Sequence, residues 1–346
     1  MSERVMARVV RVDAINPIAD ANQIEVASIG GWKVVVKKGE FEVGSLACYA
    51  EVDSWIPHSI APFLTKPGQF PKAYNGVEGQ RLRTIKLRGQ ISQGLLLPMT
   101  LRGADGLVVG ALFSEGDNVT EFLGIQKWEP PAEFRAANAN GSFPHFIPKT
   151  DQERIQNLSK ELAKWNTEGH TWQVTEKVDG SSMTVFYKDG EVGVCSRNLE
   201  LKDDGTSTFW ETAKVEKLVE KIISHGKNIA LQGELIGGNI QGNAYKVPRF
   251  QFHLYDIFDI DKQEYWHPNA VLAFALENEI CHVPEVHGYF NMGEKNSDME
   301  TLLVFAEGKS LIGTKPEREG LVFKSLTEPG TSFKAISNRW LLKNDG

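Results

Sequence analysis

Only three cysteines occur among the 346 residues, Cys48, Cys195 and Cys281. They have no paired spacing, which excludes a disulfide framework and a thiolate zinc site. Long apolar runs and a signal-like N-terminus are absent, so the expectation is a soluble intracellular protein, cytoplasmic in a prokaryotic or viral source. The eight histidines show no nucleophile or ligand spacing and carry no assigned role. Positive charge is also short, with 38 Lys and Arg against 45 Asp and Glu and a net charge of -7. That balance alone argues against a nucleic-acid partner, but it is unevenly distributed. Up to Gln126 there are 13 Lys and Arg against 13 Asp and Glu, and the remaining 25 against 32 carry the whole deficit. The first part is locally basic, with Lys33, Lys37 and Lys38 in one run and Arg81, Arg83, Lys86 and Arg88 in another. The second run supplies candidate contacts to a phosphate backbone.

The length allows two domains, each with its own core, and a monomer is expected. The first hundred residues are short β-rich segments punctuated by Gly, Pro and Asp, such as IEVASI, WKVVVKK and RLRTIKL, which predict a small barrel. Two stretches, Val12 to Ile24 and Leu87-Arg88-Gly89-Gln90-Ile91-Ser92-Gln93-Gly94-Leu95, resemble the tRNA-binding type of OB fold. Barrels of that kind bind single strands through basic grooves and aromatics, so Trp32, Phe41 and Trp55 are candidate stacking residues beside their alternative as core. Residues 127–148 carry four prolines without periodicity and read as a linker and domain edge. Thr150 with Glu153 forms a capping box ahead of a helix ending near Asn166-Thr167. Thr208 with Glu211 opens a second helix closed by Gly226, and Ser297 with Glu300 opens a third closed by Gly308. Asn269 to Ile280 predicts a fourth. The expectation is an α+β chain: an OB-like module over 1–126 and a catalytic domain with antiparallel sheets and flanking helices over 149–346.

Lys177-Val178-Asp179-Gly180 stands in QVTEKVDGSSMTVFYKDGEVGVCSRN. β-branched and apolar residues flank it, and Lys188-Asp189-Gly190 predicts a hairpin turn, which holds Lys177 on a strand facing a pocket. Downstream follow Ser196-Arg197-Asn198, Leu231-Gln232-Gly233-Glu234, Phe252-His253-Leu254-Tyr255-Asp256, Arg318-Glu319-Gly320-Leu321-Val322-Phe323-Lys324, and Ser332-Phe333-Lys334-Ala335-Ile336-Ser337-Asn338. Taken in order, these resemble the motif set of the covalent nucleotidyltransferase superfamily, which comprises ATP-dependent DNA and RNA ligases and mRNA capping enzymes.

The resemblance implies that Lys177 is the nucleophile and is adenylylated. Free lysine has a pKa of about 10.4, so its neutral form must be favoured by a nearby cation. Lys334 matches the late-motif lysine at the α-phosphate. Asp179, Glu234 and Glu319 are the carboxylates that could hold Mg2+ or Mn2+ through its waters, since a small hard cation dehydrates reluctantly. Glu234 and Arg197 lie near the ribose and incoming end by the same resemblance, and Tyr255 matches the aromatic that stacks on the base. The segment Pro148 to Gln156 resembles the stretch upstream of the nucleophile in RNA ligases and adds Lys149, Arg154 and Gln156 as nucleotide contacts. Many ligases end with Lys-any-Lys, whereas Ser332 stands at the first position here; Lys324 or Lys343 could replace the missing cation.

Within the superfamily, DNA ligases and capping enzymes usually carry an OB domain after the last motif, and the sequence stops three residues beyond Lys343. The barrel-like module in front matches the layout of the OB-first RNA ligases, the fifth RNA ligase family. The expected activity is ATP-dependent joining of a 5′-phosphate to a 3′-hydroxyl through lysyl-AMP and an adenylylated 5′ end. The expected substrate is RNA, or a nicked duplex with an RNA 3′-hydroxyl. The alternatives are a GTP-using capping-type transferase and a non-catalytic RNA-binding protein.

Overall fold

The strand Trp32–Lys37 shows how the sequence pattern becomes structure: Trp32, Val34 and Val36 are buried while Lys33 and Lys37 are exposed, the two-residue period of a half-buried strand. The computed structural model describes residues 4–103, 105–129, 138–293, 298–314 and 316–344. It separates into two compact units, Met1–Pro131 with Leu341–Gly346, and Ala132–Trp340.

The first unit is built from short antiparallel strands. Leu46–Ala50 lies between Ala7–Arg11 and Leu95–Pro98; Ile24–Ile29 lies between Ala14–Pro17 and Trp32–Lys37. A third sheet orders Gln126–Lys127, Ser54–Pro57, Val77–Arg81 and Lys72–Tyr74. Trp32, Phe41 and Trp55 are each under 8 % exposed and pack in this interior, so they are core residues and not the stacking platform that the sequence allowed. Burial of such side chains is worth about 1.5–3 kcal/mol each, which is why the barrel keeps them inside.

Two sheets form the second unit. The larger orders Ala139–Ser142, Leu199–Leu201, Glu191–Cys195, Ser181–Lys188, Ile229–Ile236, Gln251–Asp259 and Glu264–Tyr265, all antiparallel. One face, with Met183, Val185, Leu231, Leu235, Phe252, Leu254 and Ile257, is covered by helices that contribute Phe209, Leu218, Ile222, Val271 and Phe274. The smaller sheet orders Glu153–Arg154, Ser332–Ile336, Gly320–Ser325, Thr171–Lys177 and Glu285–Asn291. Its outer face buries Trp172, Phe323 and Phe333 against Trp165 and Phe290, with the Phe323 and Phe333 rings stacked at 4.6 Å. The pair Glu153–Arg154 and Ser332–Ile336 is parallel, so this sheet is mixed.

Local signals were honoured unevenly. Asp189 and Gly190 both take left-handed angles in the turn joining Ser181–Lys188 to Glu191–Cys195, as a tight hairpin requires. Thr150 and Glu153 do not open a helix. Glu153 instead joins the strand beside Phe333, its carboxylate accepting from Arg154 N and Asn157 Nδ2, and the helix starts at Ser159 and runs to Glu168 before left-handed Gly169. The second helix is capped by Ser207, one residue earlier than expected, and is split into Thr208–Val215 and Leu218–His225 by left-handed Lys217. The helix Pro268–Glu277 is close to its expected span. Met299–Ala306 is capped by Asp298, whereas Ser297 lies outside the described residues. Among the described residues, no helix is long and apolar enough to cross a membrane.

Candidate active site

Strand alternation in the smaller sheet sends Trp172, Val174, Leu321, Phe323, Phe333 and Ala335 into the core. The opposite face therefore carries Lys177, Val322, Lys324, Ser332 and Lys334. Register brings them together: Lys177 faces Gly320, Val322 faces Lys334, Lys324 faces Ser332, and Arg154 lies beside Lys334. The larger sheet presents Ser182, Thr184, Gln232 and Glu234 on the face away from its helices, with Ser182 opposite Glu234 and Thr184 opposite Gln232. A register shift in its neighbour lets Gln232 pair with Asp256 and Gly233 with Leu254, leaving Tyr255 as an extra residue. Such a bulge re-aims side chains, and here both Tyr255 and Asp256 reach the cleft.

Lys177 ends its strand, and its Nζ donates to Glu319 Oε2 at 2.6 Å. The following turn is held through its backbone: Asp179 N donates to Tyr245 Oη at 2.7 Å, and Gly180 N donates to the Glu234 carboxylate. Gly180 is dictated by proximity, because a Cβ there would lie 2.4 Å from Leu235 O. Burial draws the Lys177 pKa down, but Glu319, Glu234 and Asp179 together drive it above its ordinary value. The amine is therefore an ammonium in the metal-free cleft. Burial and the charge of Glu319 raise Asp179 to about 7 against the pull of Lys177. Burial raises Glu234 to about 8 even though Lys177 opposes the shift. Carboxylates that repel one another across a buried lysine suit an added divalent cation. Among the described residues no three His, Cys, Asp or Glu side chains form a group that could hold a metal ion directly.

Tyr255 Oη donates to Thr150 Oγ1 at 3.0 Å, tying the upstream segment to the larger sheet. Lys324 Nζ donates to the Tyr255 carbonyl and to Asp256 Oδ1 at 2.7 Å. Its charge is thus engaged by the cleft wall, which weakens its case as a substitute phosphate cation. Lys343 lies on the terminal helix Asn338–Asn344, outside the compact unit that holds the cleft. Arg197 pairs with Asp151 at 2.8 Å and Lys149 Nζ donates to Asn198 at 2.7 Å, both at an exposed rim. Arg154 and Gln156 are buried, and the two side-chain amide atoms of Gln156 have no hydrogen-bond partner among the described residues. Buried orphaned amides are costly, so they fit a ligand that supplies partners. Beside this segment a cavity of about 280 Å3 is lined by Lys149, Thr150, Asp256, Trp266, Lys324 and Ser332.

Two cleft residues escaped the sequence reading. Gln232 Nε2 donates to Pro148 O at 2.9 Å, and its Oε1 has no partner among the described residues. A polar residue two positions before Glu234 in an apolar strand was a usable sign. Tyr245, in an irregular loop, gave none. In the first unit the four basic candidates differ: Arg81 is held by Asp53 at 2.5 Å and lies over Trp128 at 3.9 Å, whereas Arg83, Lys86 and Arg88 are exposed.

Residues 170–336 match the family model for RNA ligases, and residues 6–99 match an OB-fold domain. No match is found among curated proteins. Solved structures of a Naegleria gruberi RNA ligase are similar along the whole chain. An apo aspartate-to-alanine variant is 42 % identical with a TM-score of 0.89, covering 100 % of this chain and 99 % of that one. A glutamate-to-alanine variant with ATP and Mn is 42 % identical with a TM-score of 0.89, covering 99 % and 100 %. The same ligase with PPi is 41 % identical with a TM-score of 0.89, covering 99 % of each chain.

Proposed function

Because the chain belongs to the RNA ligase family and is an ATP-dependent ligase that uses a divalent metal, we propose that Lys177 is its nucleophile and that the cleft around it performs all the covalent chemistry. The family sets RNA as the substrate class. A 5′-phosphate and a 3′-hydroxyl, as a nick or as free ends, are the termini we assign, acted on by a monomer of two domains whose N-terminal OB-fold module carries a local run of basic residues.

The observation that carries this reading is the 2.6 Å contact between Lys177 Nζ and Glu319 Oε2, on a sheet face shared with Lys334 and opposed by Glu234. Nζ, once deprotonated, attacks the α-phosphorus of ATP; a P–N bond forms and pyrophosphate leaves. The AMP then passes to the RNA 5′-phosphate, freeing the lysine. The 3′-hydroxyl finally displaces AMP from that end and makes the phosphodiester. Glu319 holds the amine in place before attack, and Lys334 and Arg154 add positive charge along the phosphate path. Tyr255 offers its ring to the base, and Gln156 and Gln232 offer unpaired amide atoms beside it. Asp179, Glu234 and Glu319 would hold a divalent cation through its waters, and it would supply charge that offsets the phosphates and lowers the lysine pKa.

The test uses ATP and GTP labelled at the α-phosphate. Native protein is expected to take label from ATP alone, and Lys177→Ala is expected to take none while still sealing a pre-adenylylated 5′ end. An adduct persisting in Lys177→Ala removes the nucleophile assignment, and transfer from GTP removes the nucleotide assignment.

A further inference from the structure

The loop between the Glu234 strand and the Tyr255 strand contains four left-handed residues within six positions, Gln241, Gly242, Asn243 and Lys246. Three of these are not glycine, and such residues persist only where the surroundings over-determine them. Here Asn243 brackets Val247, donating from Nδ2 to its carbonyl at 3.0 Å and accepting its amide on Oδ1 at 3.1 Å. The backbone thus fixed presents one side chain inward. Tyr245 is 3 % exposed and packs in an apolar cluster with Val178, Ile236, Val247, Val283 and Ile312.

A phenylalanine would fill that cluster as well, and a buried hydroxyl is costly unless it is bonded. The Tyr245 hydroxyl accepts the Asp179 amide at 2.7 Å. Burial raises its pKa and the neighbouring carboxylates add to the shift, so it remains a neutral phenol. The tyrosine is also pinned from behind: its carbonyl accepts Thr314 N at 3.1 Å, and Gly313 approaches so closely that a Cβ there would lie 1.9 Å from that carbonyl oxygen. The strand carrying Lys177 has ended by this point, so the Asp179 amide has no ladder partner. With Gly180 N held by Glu234, the amides of Asp179 and Gly180 hang from Tyr245 and Glu234.

We infer that Tyr245 is a positioning residue for adenylylation, its hydroxyl fixing the Lys177–Gly180 turn so that the amine and the Asp179 carboxylate face the nucleotide together. This rests on Lys177 being the nucleophile. A turn displaced by a fraction of an ångström leaves ATP binding intact but spoils in-line attack.

The experiment compares Tyr245→Phe with Ile312→Val, a packing change in the same cluster that leaves the hydroxyl bond alone. Single-turnover lysyl-AMP formation by Tyr245→Phe is expected to fall about ten- to a hundredfold at saturating ATP, with half-saturating ATP moving less than about twofold. Sealing of a pre-adenylylated 5′ end, which needs no amine, is expected to fall far less. Ile312→Val is expected to keep its adenylylation rate even where its melting temperature drops. A native rate in Tyr245→Phe, or equal losses in adenylylation and in sealing of the pre-adenylylated end, overturns the inference. So does a comparable rate loss in Ile312→Val. Failure of the nucleophile reading is separate, since that would appear as an adduct in Lys177→Ala.

Discussion

Removal of the Lys324 ammonium is expected to destabilise the second unit sharply, and the structure supplies the reason. The Lys324 and Asp256 side chains are 6 % and 15 % exposed, with Nζ and Oδ1 2.7 Å apart. Burial lowers the pKa of Lys324 and raises that of Asp256, so each stays charged only because the other is present. Breaking a buried pair by deleting one partner costs about 3–5 kcal/mol, because an uncompensated charge is left inside. For a unit of roughly 200 residues, about 2–4 °C per kcal/mol translates this into a fall of about 6–20 °C. Calorimetry of the full chain carrying Lys324→Met reads it directly, the methionine retaining most of the lysine stem. The double variant with Asp256→Leu is expected to recover much of the loss, since an apolar pair replaces the ion pair. Half-saturating ATP is expected to rise in Lys324→Met, because the same ammonium anchors the Tyr255 carbonyl. A melting temperature within about 1 °C of native would refute the strut. If adenylylation nevertheless collapsed, Lys324 would instead be the phosphate cation that the sequence allowed.

Two further outcomes follow from charge. Asp179 sits at about 7 and Glu234 at about 8, above ordinary values of 3.8 and 4.5, so the folded metal-free chain holds protons that the unfolded chain releases. Their contribution to stability is therefore lost as pH rises through that window, and Asp179→Asn is expected to gain melting temperature relative to native between pH 4.5 and 8; a constant difference would refute the shift. In the first unit, Lys86→Ala with Arg88→Ala is expected to flatten the salt dependence of RNA binding by about one phosphate contact per residue, whereas Arg81→Ala, already held by Asp53 and Trp128, leaves the slope unchanged. Equal slopes for all variants would remove Lys86 and Arg88, on the hairpin of Ile85–Leu87 and Gln90–Ser92, from the RNA path.

Lys177, Glu234, Tyr255, Glu319 and Lys334 could be picked out because their order and residue types suit one reaction, and the structure gathers them on two facing sheets. What the sequence hid was set by tertiary pairing. The Thr150 and Glu153 capping box lost to a strand, since pairing beside Phe333 satisfied Glu153 in another way. Trp32 and Trp55 have the same letters whether they stack on bases or fill a core, and only burial separates the two. Lys324 follows its motif in either role, and the position of Asp256 decides what it touches.

Protonation was the least visible property of all. A lysine motif identifies an amine without saying whether it is charged. Three carboxylates in the cleft outweigh the burial that would deprotonate Lys177. Asp179 and Glu234 are themselves raised toward the neutral acid form, so the cleft holds an ammonium beside carboxylic acids that still carry their protons. A divalent cation held by these carboxylates would replace those protons and favour the neutral amine.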